Sequence, residues 1–112
     1  MHRDAIDQNA LKTLYGEEQE LIDDMLDLYR EKSGKAIDNL ERALKEGVAA
    51  DIQMAAHRIK GVLGSIGAQR GAAAALALEK AAATGSTDNA AALGEALRTE
   101  LRAVDDELKV TR

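Results

Sequence analysis

Residues 54–68 read MAAHRIKGVLGSIGA, one amphipathic turn after another around a single histidine. Setting His57 at zero and advancing about 100° per residue maps the stretch onto an α-helix. Gln53, Lys60, Gly61 and Gly64 then fall within about 60° of the imidazole. Ile52, Ala55, Ala56, Ile59, Val62, Leu63 and Ile66 fall between about 140° and 260°, on the opposite side. The apolar residues face a core and His57 faces water, with Lys60 one turn further along the same face. Gly61, Gly64 and Gly67 each cost a helix interior about 0.8–1 kcal/mol against alanine. The chain has twenty-two alanines, so glycine here is no default. Gly61 and Gly64 either clear space beside the imidazole for another molecule or let a neighbouring helix pack closely. The geometry of one helix leaves both readings open.

The surrounding chain asks for helices and little else. It has 112 residues, no proline and two aromatic residues, Tyr15 and Tyr29. The reading is one domain over residues 1–112 with a thin core of Leu, Ile, Val and Ala. There is no cysteine, hence no disulfide and no thiolate metal site. A formal net charge of −5 argues against nucleic acid and anionic membrane as main partners. No apolar run approaches the roughly 20 residues that span a bilayer. The opening MHRDAIDQN lacks the apolar centre of a signal peptide, so a soluble cytoplasmic protein is expected.

Working outward, residues 4–15 read as a short helix with Ile6, Ala10, Leu11 and Leu14 in one stripe, stopped by Gly16. Acids at 17, 18 and 20 suit a helix N-terminus. The stripe then runs from Leu21 to Glu46, with Ser33-Gly34 kinking the element or splitting it in two, and Gly47 ending it. The His57 helix runs from about Ala49 to Ile66, and Gly67 closes it. Residues 68–83 form the next helix. Thr84–Thr87 is a turn, with Thr87 or Asp88 as the N-cap of the last helix. That helix carries Leu93, Leu97, Leu101, Val104 and Leu108. No strand pattern occurs. Short connections between long helices imply antiparallel neighbours. The fold expected is therefore all-α, an antiparallel up-down four-helix bundle with a short additional N-terminal helix.

A solvent-facing imidazole can act as base, metal ligand or nucleophile. A metal site is poorly supported, because the other histidine is His2 and Met54 stands three residues before His57 where a bundle metal site wants glutamate. No Gly-x-Ser-x-Gly elbow supports a hydrolytic triad. No Gly-rich phosphate loop supports ATP binding. An exposed nucleophile that borrows its reaction partner remains. Its neutral nitrogen can attack an activated phosphoryl group, and Lys60 is placed to steady the anionic product.

The run His57-Arg58-Ile59-Lys60-Gly61-Val62-Leu63-Gly64-Ser65-Ile66-Gly67-Ala68 closely resembles the signature of histidine-containing phosphotransfer (HPt) domains. It is similar above all to those at the ends of hybrid sensor kinases. The Leu78-Glu79 pair falls at the family's distance in the next helix. Departures are Ile59 for leucine, Leu63 for a small residue, Ser65 for asparagine, and Gly71 where leucine is common. Leu63 and Gly71 bear on local packing rather than on chemistry. The resemblance implies a phosphocarrier of a two-component phosphorelay with no kinase activity of its own, and a monomer is expected because one core leaves no large unexplained apolar face. His57 would become phosphohistidine by taking a phosphoryl group from the aspartyl-phosphate of a response-regulator receiver domain, and would pass it to another receiver. Lys60 would steady the phosphoryl oxygens, and Glu79 would orient the imidazole. Gln53, Met54, Gly61 and Gly64 would form the docking face for the receiver. The resemblance implies no cofactor, since Mg²⁺ would belong to the receiver. Two other readings remain. One is a phosphoacceptor module of the chemotaxis-kinase type, fed by an ATP-dependent kinase domain. The other is a non-catalytic interaction bundle.

Overall fold

The computed structural model describes residues 5–111, with side chains through Lys109. Five helices follow in order: α1 (Gln8–Tyr15), α2 (Gln19–Glu46), α3 (Ala49–Gly64), α4 (Gln69–Ala83) and α5 (Ala90–Thr111). The described residues contain no strand. α3 packs between α2 and α4, α5 lies against α4 and α2, and α1 rests on α2. The four long helices thus share one core. Leu40, Ile52, Ile59, Leu63, Leu78 and Leu97 are fully buried there. Each contributes roughly 1.5–3 kcal/mol by leaving water.

Alanine sets how close the helices come. Ala56 on α3 and Ala75 and Ala82 on α4 are buried, so little side chain separates the two backbones along this seam. Two of the departures noted in the sequence compensate one another here. A Cβ on Gly71 would stand 3.0 Å from Cδ1 of Leu63. The large residue on α3 thus fills the space that the missing side chain on α4 leaves.

The ends of the elements differ from the sequence reading in four places. α1 begins at Gln8, not near residue 4, because the Asp7 carboxylate accepts from the backbone N–H groups of Asn9 and Ala10 and caps the helix there. Ala5 and Ile6 before it are buried, and the Glu107 carboxylate on α5 accepts the Ile6 N–H at 3.0 Å. α2 runs as one helix through Ser33-Gly34, so the split offered by the sequence does not occur. Ser33 is buried on the core side, and Tyr29 and Leu40 anchor the helix on either side of the pair. Regular α3 stops at Gly64 rather than Ile66, and its last turn tightens. Ala68 N–H donates to Leu63 O and Gly67 N–H to Gly64 O, the paired bonds of a Schellman ending. Gly67 closes it at φ +72°, and a Cβ there would stand 3.0 Å from the Asp7 carbonyl. Finally, α5 starts at Ala90, so neither Thr87 nor Asp88 stands next to it as its cap. Asn89 precedes the helix, and its carbonyl accepts from Leu93 N–H.

Long-range polar contacts tie these ends down. The Tyr15 hydroxyl donates to Ser65 O at 2.6 Å, and Asp7 N–H donates to Gly67 O at 2.8 Å. α1 therefore holds the turn that ends α3. Across the α2–α5 seam, Arg98 grips Glu41 with two hydrogen bonds, Nε to Oε2 at 2.7 Å and Nη2 to Oε1 at 2.6 Å. Deeper in that seam, burial and then the charge of Asp105 push the Tyr29 hydroxyl up to about 12, with the Ser33 hydroxyl acting weakly against them.

Candidate functional site

His57 sits in the middle of α3, on the face away from Ile52, Ala56, Ile59 and Leu63. Burial of those four side chains leaves the imidazole no inward position, and its side chain is 65% exposed. Lys60 follows one turn later, half-buried. Across the alanine-lined seam, α4 turns Leu78 and Ala82 into the core, and Glu79 beside them comes up against α3.

Glu79 joins the other two. Its Oε2 lies 2.9 Å from His57 Nδ1, and its Oε1 lies 2.9 Å from Lys60 Nζ in an ion pair. The glutamate side chain is only 17% exposed, sheltered between the helices. Lys60 first, and His57 after it, hold its carboxyl below the usual carboxylate range. It is therefore ionised at neutral pH and can only accept. An acceptor at Nδ1 requires the proton on that nitrogen, so the lone pair of the neutral ring sits on Nε2. No other hydrogen-bond partner of the imidazole occurs among the described residues.

The surface beside the ring is open. Nothing lies within 4 Å of where a Cβ would stand on Gly61 or Gly64. Among the described residues, no helix uses either glycine for close approach. Met54 is 59% exposed and, with Gln53, Arg58 and Glu79, lines a shallow hollow around His57. Of the face expected from the sequence, Gln53 and Met54 line this hollow with the imidazole, and Gly61 and Gly64 lie outside its lining. The Lys60 ammonium is engaged by Glu79. Arg58 was singled out for no role by its position in the sequence, about 100° around the helix from His57. Its only signal was being a cation next to the nucleophile. His2, the other histidine, lies outside the described residues.

Comparison with known families matches residues 24–107 to the Hpt domain. The chain belongs to the Hpt domain family. No curated protein and no solved structure matches it. An Hpt domain is a phosphotransfer module of two-component signalling, a phosphocarrier that works with receiver domains rather than a kinase. The match spans most of α2 and all of α3 and α4, so the whole His57–Lys60–Glu79 cluster of this Hpt domain falls inside it. No helix among the described residues is long and apolar enough to cross a membrane.

Proposed function

We propose that His57 is the phosphoacceptor of a phosphorelay, charged by the aspartyl-phosphate of one receiver domain and discharged to another. The observation that carries this is the Nδ1 contact with Glu79 at 2.9 Å on an otherwise exposed ring. The Nε2 lone pair attacks phosphorus, the N–P bond forms, and the P–O bond to the receiver aspartate breaks. The electron pair of that bond stays on the aspartate as carboxylate. The ring becomes cationic with its proton still on Nδ1, where the Glu79 carboxylate stabilises it. The onward step runs the same bonds in reverse. Lys60 supplies a cation one turn away for the phosphoryl oxygens. Gln53, Met54, Gly61 and Gly64 form the surface on which the receiver seats. The receiver brings the Mg²⁺, and this chain needs no cofactor of its own.

In this reading residues 1–112 are one domain acting as a cytoplasmic monomer. The two residues between α2 and α3 and the short turns after α3 and α4 favour antiparallel, up-down neighbours. The decisive experiment is His57→Gln, incubated with receivers charged by acetyl phosphate. Acid-labile phosphate on the parent and none on the variant is expected. Because His57 faces solvent, helicity and stability should hold to within about 0.5 kcal/mol. Acid-labile phosphate on the variant would remove His57 from the role.

A further inference from the structure

Three arginines of this chain are paired with acids on or beside α5. Arg70 pairs with Glu100, Arg98 with Glu41 and Glu95, and Arg102 with Glu95. The side of the bundle next to His57 is different. Lys32 and Lys35 on α2 and Arg58 on α3 are exposed and form no ion pair among the described residues. They line one groove between α2 and α3, together with Glu31 and the small or polar Ala36 and Asn39. Arg58 is also part of the next groove along, with Asn39, Arg42, Met54, Glu46 and Asp51. With Met54 it reaches the hollow around the imidazole as well. A continuous surface therefore leads from His57 over Arg58 to Lys35 and Lys32. Glu31 shares the groove with Lys32 and Lys35, and Glu46 and Asp51 lie at the other end, near the α2–α3 turn. Free cations collected in one place stand out in a chain with 20 acids against 15 bases.

We propose that Lys32, Lys35 and Arg58 are specificity-determining residues, selecting a receiver domain that carries acidic side chains on one flank of its phosphorylated aspartate. This rests on the phosphotransfer reading of His57. A net-acidic protein repels acidic partners at long range, so a cationic strip beside the nucleophile both steers the encounter and sets its orientation. Partners with a basic flank are rejected by the same charges. On the other side of His57, Lys60 and Glu79 are paired with one another.

The test compares Lys32→Glu/Lys35→Glu and Arg58→Glu with a control pair, Lys45→Glu/Lys109→Glu, whose charge change lies off the groove. His57 is first charged chemically with phosphoramidate, then discharged to a receiver with an acidic flank. The second-order transfer rate at low salt should fall about tenfold or more for the groove variants and little for the control pair. The gap should close as ionic strength rises and the Debye length shrinks below about 8 Å. Acid-to-lysine changes on that receiver's flank should restore transfer to the groove variants. Groove variants that behave like the control pair, or a loss that salt does not change, would overturn the charge mechanism. Failure of phosphoramidate to place acid-labile phosphate on His57 would instead overturn the phosphotransfer reading itself.

Discussion

Lys60 has one ammonium group and two claims on it. In the uncharged protein it is paired to Glu79, 2.9 Å from Oε1. A phosphoryl group on Nε2 would offer it three further oxygens one turn away. Lys60→Ala should therefore slow phosphoryl transfer, by roughly tenfold for a stabilising cation at a wet site, while receiver binding changes much less. A titration and a transfer time course on the same variant decide it, since an idle surface lysine would alter neither. His57 and Lys60 were legible in the sequence because a spacing of three places them on one helical face. Glu79 was not legible from periodicity, since it lies on another helix, and family resemblance alone pointed to it. That it meets the histidine and the lysine with separate oxygens is a tertiary fact. The unpaired state of Arg58 is another, because a sequence does not show which carboxylates reach which bases.

Two glycines, Gly64 on the histidine helix and Gly71 on α4 facing it, have opposite surroundings. Gly64 is the last residue of α3 and has open space around it. Gly64→Ala should leave stability level or raise it by less than about 1 kcal/mol. Gly64→Gln should stay folded yet transfer slowly, its side chain leaning back over the turn that holds His57 and Lys60. Thermal unfolding and transfer on both variants check this, and a fully active Gly64→Gln protein would contradict it. Gly71 faces Leu63 instead. Gly71→Ala should cost about 1–3 kcal/mol through overpacking, read as a lower urea midpoint. Adding Leu63→Ala should cost less than the two separate losses combined, by about 0.5–3 kcal/mol, because the sites share one space. The helices themselves were plain from the periodicity of their apolar residues. Their ends were less so. Ser33-Gly34 looks like a break in isolation, but burial of Ser33 beside Tyr29 keeps α2 whole. The Glu107 grip on Ile6 joins segments 101 residues apart in sequence, whereas the Asp7 cap is local, its carboxylate accepting from Asn9 and Ala10 N–H.

At the scale of the molecule, α2 and α5 close the bundle with Arg98 on Glu41. Hydrogen bonding to Arg98 holds the Glu41 carboxyl below its ordinary range. A carboxyl whose folded value is depressed adds stability above its unfolded value and loses it as pH falls through the folded one. The clamp should therefore be intact at neutral pH and fail at the acid end of the carboxylate range. Both partners are partly exposed, so solvent screening limits it to roughly 0.5–1 kcal/mol. Arg98→Met should lower the melting temperature at pH 7 and leave it close to that of the parent once Glu41 is protonated. Melting curves at the two pH values test the sign. An equal loss at both would place the effect in packing.

The two tyrosines also make the protein its own optical instrument. With no tryptophan to mask them, all near-ultraviolet emission comes from Tyr15 and Tyr29. Tyr29 is sealed in the core, whereas Tyr15 is half-buried and bonded to the carbonyl of Ser65. A water-soluble quencher should reach one chromophore and not the other. The accessible signal then reports on the junction between α1 and the end of the histidine helix, with no label attached to the chain.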